Sequence, residues 1–166
     1  CELPLRGVFH AAGVLEDGML ADMDSESFER VLTPKWKGAW SLHRACLEED
    51  LEHFVLFSSM TAMVGAAGQA NYAAANNGLD AFARWRRSKG LPATSIAWGP
   101  WSGGGMATRA ASAESLDAAG IAPISPAVGV DVLGRLLRTP QHDHSVGILA
   151  VDWERYLGRR EALPLF

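Results

Sequence analysis

Tyr72 and Asn76 stand four residues apart in a segment that reads as a helix, so they share one face. Upstream, Ser58-Ser59 closes an apolar run that reads as a strand. Parallel α/β sheets place their sites at the carboxyl ends of strands. A phenol at a helix start beside a hydroxyl at a strand end can act as a proton-donor pair. Tyrosine titrates near about 10, so it needs a cation close by to serve as an acid–base group at neutral pH. Capping explains the same residues without chemistry, and spacing alone favours capping.

Lys35 and Lys37 are the candidate cations. At about 100° per residue, Lys35 falls inside the apolar arc of its helix and Lys37 opposite it. Lys37 reads as a solvated surface lysine. Lys35 either snorkels past Trp36 and Ala39 or points into a site. Lysine on a buried face needs a reason, and activating a tyrosine is one. The pattern supports both readings of Lys35.

The elements around these residues alternate. Arg6–Phe9, His53–Ser58, Ala93–Trp98 and Val146–Val151 read as buried strands, each a continuous apolar run. Between them, Asp24–Leu47 has helical periodicity, with Asp24 or Ser25 as its cap. Asn71–Lys89 is an alanine-rich helix that Gly90 stops. Ser112–Gly120 is a short, weak helix, and Pro126 opens another that runs to Arg138. The tail after Trp153 reads as linker. This alternation predicts an α/β fold: a Rossmann-like, doubly wound parallel sheet of about four strands with flanking helices. A G-x-G-x-x-G phosphate loop is missing from the sequence, and Gly103-Gly104-Gly105 does not replace it. The expectation is therefore the C-terminal half of a dinucleotide-binding fold.

Composition narrows the function. The 166 residues are 48% hydrophobic and 20% charged, which is ordinary for a globular domain and argues against disorder. A net charge of −4 without a basic block gives no footprint for nucleic acid. No apolar run approaches the ~20 residues of a membrane span, and the N-terminus has no signal-peptide pattern. Two cysteines, Cys1 and Cys46, are too few for a disulfide scaffold or a zinc site and fit a reducing, cytoplasmic setting. His43, His53, His142 and His144 lack metal-ligand spacing, so no metal is expected. Trp36, Trp40 and Trp85 read as packing.

Five segments then resemble one family. They are Gly7-Val8-Phe9-His10-Ala11-Ala12-Gly13-Val14-Leu15-Glu16-Asp17-Gly18, Phe57-Ser58-Ser59, Gly68-Gln69-Ala70-Asn71-Tyr72-Ala73-Ala74-Ala75-Asn76, Ala97-Trp98-Gly99-Pro100-Trp101 and Val151-Asp152-Trp153-Glu154-Arg155. In this order and spacing they resemble the ketoreductase domains of modular type I polyketide synthases, within the short-chain dehydrogenase/reductases. Most of that superfamily carries Tyr-x-x-x-Lys. Here Asn76 holds the fourth position and the lysine sits on the preceding helix, an exchange typical of synthase ketoreductases. The resemblance selects Lys35, which follows Pro34 in the family's P-K motif.

The resemblance implies NADPH-dependent reduction of a β-ketoacyl group on an acyl carrier protein. Tyr72 would protonate the alkoxide and Ser59 would hold the carbonyl oxygen. Lys35 would lower the Tyr72 pKa and hold the nicotinamide ribose, and Asn76 would position Lys35 and a relay water. His10, Ala11, Ala12 and Gly13 would line the cofactor near its ribose, with Gly99, Pro100 and Trp101 beside the nicotinamide. Leu15, Asp17, Gln69 and Met106 would orient substrate. The segment at about 102–124 would be the substrate lid, hinged at Gly103–Gly105. Leu15-Glu16-Asp17 stands where D-alcohol producers carry Leu-Asp-Asp, and Val64 stands where the opposite class carries tryptophan. Together these imply a B-type reductase.

Residues 1–157 would then be the C-terminal portion of the catalytic subdomain and 158–166 a post-domain linker. The N-terminal half, with its phosphate loop, and the neighbouring synthase domains would be partners. A free short-chain ketone reductase and a non-catalytic structural half are the alternative readings.

Overall fold

The computed structural model describes residues 3–104, 106, 113–139 and 145–158. Strands β1 (Gly7–His10), β2 (His53–Ser59), β3 (Thr94–Trp98) and β5 (Ser145–Ile148) form one sheet in the order β1-β2-β3-β5. Every pairing in it is parallel. The first three strands are nearly continuous apolar runs because helices cover both faces. On one face Phe54, Leu56, Leu79, Phe82 and Ala83 form a core with Trp40 and Trp85 packed against it. On the other, Val55, Ile96, Trp98 and Ile124 meet Leu133, Leu136 and Leu137. The expected α/β fold is present, and the tryptophans at 40 and 85 are packing residues as read.

The helix expected over Asp24–Leu47 is three consecutive segments. They are α1 (Ser25–Leu32), a π-helical turn (Thr33–Lys37) and α2 (Gly38–Ala45). Of the two candidate caps, Asp24 does the capping: its Oδ1 accepts from Ser27 N at 2.8 Å. The interruption has a covalent cause. Pro34 has no N–H to donate into the helical ladder. The Gly38 N–H instead reaches back to the Thr33 and Lys35 carbonyls, which closes a wider turn.

Helix α3 (Thr61–Val64) was not expected from periodicity. Helix α4 (Ala70–Ser88) is the long helix beside β2 and β3. Beyond β3 come α5 (Ala113–Ala118) and β4 (Ile121–Ala122), followed by α6 (Pro126–Arg138), capped by Ser125. Gly105, Ser112, His142, His144 and the proposed linker beyond Gly158 lie outside the described residues.

Two sequence readings are corrected at the C-terminal end. Val146–Val151 is not one strand. Ser145–Ile148 stays in the parallel sheet, while β6 (Ala150–Val151) leaves it to pair antiparallel with β4. The tail after Trp153 is not linker at its start, because Trp153–Gly158 forms helix α7. Asp152 starts that helix: its Oδ1 accepts from Arg155 N at 3.1 Å and its carbonyl from Tyr156 N at 2.9 Å. Among the described residues, no helix is long and apolar enough to cross a membrane, and no cluster of potential metal ligands occurs.

Candidate active site

The carboxyl ends of β2 and β3 open into a cavity of about 840 Å³. Ser59 and Tyr72 both line it, as do Leu15, Asp17, Gln69 and Met106. Gly99, Pro100 and Trp101 form another stretch of its wall. Much of the lining comes from strand ends and the loops that follow them, as expected for an open parallel sheet, and Thr61, Tyr72, Leu116, Pro126 and Tyr156 add to it from helices.

Ser59 is the last residue of β2. Its Oγ accepts from Thr61 N at 3.2 Å and from Thr61 Oγ1 at 3.1 Å. A hydroxyl that accepts two bonds keeps its own hydrogen to donate. Tyr72 lies in the first turn of α4 and is nearly buried. Burial pushes its pKa above 10.0, while the adjoining Asn76 and Ser59 side chains pull the other way. The phenol is therefore protonated at neutral pH, the state an acid must start from.

Lys35 sits in the π turn with only 2% of its surface exposed. Its Nζ donates to the Phe57 carbonyl at 2.9 Å and lies 5.5 Å from the centroid of the Tyr72 ring. Burial lowers its pKa to about 8, and the charge of Asp80 pulls upward against that. Lys37 is exposed, as its place on the wheel predicts.

Asn76 is fully buried one turn after Tyr72. Its Nδ2 donates to the Tyr72 carbonyl at 2.8 Å, and its own carbonyl accepts from Ser58 Oγ at 3.2 Å. Asn76 Oδ1 is buried without a hydrogen-bond partner. An orphaned buried acceptor is costly, and a water or hydroxyl donor at that position would relieve it.

The residues from 10 to 17 divide into two groups. His10 does not line the cavity. It is buried against Gly38, and its Nε2 donates to the Lys35 carbonyl at 2.9 Å. Burial holds the His10 pKa below 6.5, so the ring is neutral with its proton on Nε2. Ala11 and Ala12 are exposed. Gly13 packs tightly on the lysine: a Cβ there would lie 3.1 Å from Lys35 Cε. The Leu15–Gly18 segment is held from α4 and α1. Gln69 Nε2 donates to Asp17 Oδ2 at 3.0 Å, Asn71 Nδ2 to the Glu16 carbonyl at 2.7 Å, and Gly18 N to the Gly68 carbonyl at 2.9 Å. Arg30 grips both Glu16 carboxylate oxygens.

Sequence reasoning did not single out Thr61, Asn71 or Tyr156. Asn71 follows the helix start and has 0% exposure, and only its site in the N-terminal turn hinted at side-chain bonding to backbone. Tyr156 lines the cavity from a segment read as linker, so no sequence signal pointed to it.

The donor set fits the nicotinamide-ribose end of a dinucleotide. A buried ammonium able to bond a ribose hydroxyl stands behind Tyr72, and the Gly99–Trp101 wall is suited to a flat ring. No described residue supplies a glycine-rich pyrophosphate cradle.

Comparison with known proteins accounts for this arrangement. Residues 2–103 match the KR domain family. The chain belongs to that family, the ketoreductase domains of polyketide synthases. It is 46% identical over 140 residues to the phthioceranic/hydroxyphthioceranic acid synthase of Mycobacterium tuberculosis, covering 82% of this chain and 7% of that protein. It is 45% identical over 152 residues to polyketide synthase GfsB of Streptomyces halstedii, covering 92% and 3%. Among solved structures, the first ketoreductase of the tylosin polyketide synthase superposes with a TM-score of 0.82 at 47% identity, covering 93% of this chain and 34% of that one. The ketoreductase from the first module of phoslactomycin biosynthesis in Streptomyces sp. HK803 gives 0.87 at 38% identity, covering 94% and 36%. The chain thus spans a small part of the curated relatives and about a third of the solved domains.

Proposed function

We propose that this chain carries the acid–base centre of an NADPH-dependent β-ketoacyl reductase acting on acyl groups tethered to an acyl carrier protein. One observation carries the reading: Ser59 and Tyr72 line one cavity while the Lys35 ammonium stands behind the Tyr72 ring. Lys35, with Gly99, Pro100 and Trp101, would hold the nicotinamide-ribose end, and His10 and Gly13 would act there through the lysine they pack against. Bound NADPH supplies the hydride.

Ser59 Oγ donates to the ketone oxygen and fixes the carbonyl. Tyr72 also donates there and gives its proton as the oxygen gains charge, so a C–H and an O–H bond form together. The Lys35 ammonium stabilises the resulting phenolate. Asn76 Oδ1 accepts from the relay water that returns a proton toward the site. Leu15, Asp17, Gln69 and Met106 orient the acyl chain. The fixed Leu15–Gly18 segment, with Val64 in place of tryptophan, supports the D-alcohol outcome of a B-type reductase.

Residues 1–157 read as the C-terminal portion of the catalytic subdomain with a lid at 102–124, followed by a linker from 158. The remainder of the ketoreductase and neighbouring synthase domains are its partners, in a cytoplasmic setting. The test is oxidation of NADPH by the full-length protein with a β-ketoacyl thioester, compared with NADH, and chiral chromatography of the product. Turnover with the D-alcohol as product is expected. Folded protein without turnover points instead to a structural role, and the L-alcohol would overturn the stereochemical reading.

A further inference from the structure

The C-terminal segment is fastened to the lid side of the cavity. Strands β4 and β6 pair as Ile121 with Val151 and Ala122 with Ala150. Asp152 N donates to the Gly120 carbonyl at 2.8 Å. Arg155 Nη2 lies 3.7 Å from Asp117 Oδ2 of α5. Gly120 permits this approach in two ways. Its φ of +71° is left-handed, and a Cβ there would stand 3.0 Å from the Asp152 carbonyl oxygen. The other end of the lid region is tied as well: Ser102 N donates to the Ile124 carbonyl at 2.9 Å, and Ile124 N to the Pro100 carbonyl at 2.7 Å.

Helix α7 is too short to hold itself in water, so these contacts set its direction. That direction brings Tyr156 to the same cavity that Ser59 and Tyr72 line. Leu116, Ala119 and Ile121, from the α5–β4 segment to which β6 is paired, line the same cavity as Tyr156. Trp153 meets the Tyr156 ring edge-on, 5.9 Å between centroids. These four wall residues are aliphatic or aromatic and carry no charge, which matches hydrocarbon and not a carrier protein's acidic surface or a phosphate.

We infer that Tyr156 is a specificity-determining residue: its ring, held by the β4–β6 clasp, packs on the acyl chain beyond the reacting ketone and sets preference for chain length. The inference deepens the β-ketoacyl reading and rests on it for the substrate class.

The test uses the full-length protein with N-acetylcysteamine thioesters of 3-oxobutanoate and 3-oxooctanoate. Tyr156→Ala is expected to raise KM for the longer ester about tenfold and to leave kcat on the shorter within about twofold. Tyr156→Phe keeps the ring and is expected to retain both KM values. Equal loss on both esters, or no change on either, overturns the inference. Should Tyr156→Ala lose its melting transition, Tyr156→Trp carries the same test by crowding the wall, again with KM rising on the longer ester alone. Binding is read separately by quenching of tryptophan fluorescence with octanoyl-N-acetylcysteamine. A wild type that binds this ester without reducing the keto esters sinks the functional reading, while tenfold weaker binding by Tyr156→Ala still upholds the wall. Failure of the wild type to bind it overturns the wall.

Discussion

Lys35 Nζ lies 5.5 Å from the centroid of the Tyr72 ring, although the two residues come from different helices on opposite sides of strand β2 in the sequence. The contact depends on a π turn set where Pro34 interrupts the α-helix and on a carbonyl, Phe57, that receives the ammonium. The placement of the ammonium beside the phenol ring is thus built from backbone features as much as from side chains.

Removing the acid should separate chemistry from folding. Tyr72→Phe keeps the ring in its core contacts with Val31 and Ala75. Reductase activity is expected to drop about 10²–10⁴-fold. The melting temperature should stay close to the wild-type value, as read by circular dichroism. Retained turnover would remove Tyr72 from the proposed mechanism.

The buried lysine should cost stability while serving catalysis. Lys35→Met fills the same space without a charge to desolvate, so the protein is expected to gain roughly 1–3 kcal/mol in urea unfolding while losing activity. In the wild type the ammonium is lost as pH rises through about 8. The sign for function follows: kcat/KM should fall on the alkaline side of about 8. The sign for stability is opposite. The unfolded lysine titrates at 10.5, so between about 8 and 10.5 the unfolded state binds more protons and wild-type stability rises with pH. Lys35→Met should remove that rise.

His10 and His43 give the acid side of the profile. Burial lowers both pKa values below 6.5, and nearby cations, Lys35 for His10 and Arg86 for His43, add to it. The unfolded state then takes up protons that the folded state refuses. Stability is full above 6.5 and declines as pH falls below it toward the lowered folded values. Urea midpoints at pH 7.5 and 5.5 check this, and His10→Asn should flatten part of the slope. A midpoint independent of pH in that window would contradict the burial argument.

His10 should also act on the lysine at a distance from the reacting atoms. His10→Ala removes the donor to the Lys35 carbonyl. The alkaline limb of the kcat/KM profile is expected to move, with KM changing little and His10→Asn restoring part of the profile. A uniform loss of folded protein without movement of the limb would leave His10 a packing residue.

Gly129 supports the cavity wall from behind. A Cβ there would lie 2.2 Å from Trp101 Cη2, and the indole is wedged between Trp98 and helix α6. Gly129→Ala should destabilise the protein by about 1–3 kcal/mol through overpacking. It should also weaken nicotinamide binding, because Trp101 lines the site. Thermal unfolding and NADPH titration read the two effects.

What the sequence determined by itself is the alternation of apolar runs with helical periodicity, the place of Ser59 at a strand end, the shared face of Tyr72 and Asn76, and the inward side of Lys35. These are local matters of period and residue type, and chain geometry enforces them without long-range contacts. Tertiary structure decided the rest. Whether a buried lysine points into a site or snorkels outward depends on the Phe57 carbonyl and the Tyr72 ring, both contributed by distant segments. The three-part helix at 25–45 is anchored by His10 from β1, which no helical wheel includes. Val146–Val151 reads as one strand by composition, yet its last two residues obey a different partner, because β4 returns beside them and offers an unpaired edge. Helix α7 looks like linker since six residues cannot sustain a helix alone. It exists because Asp152 caps it and Gly120 lets the α5–β4 segment approach, and that approach is what brings Tyr156 to the cavity.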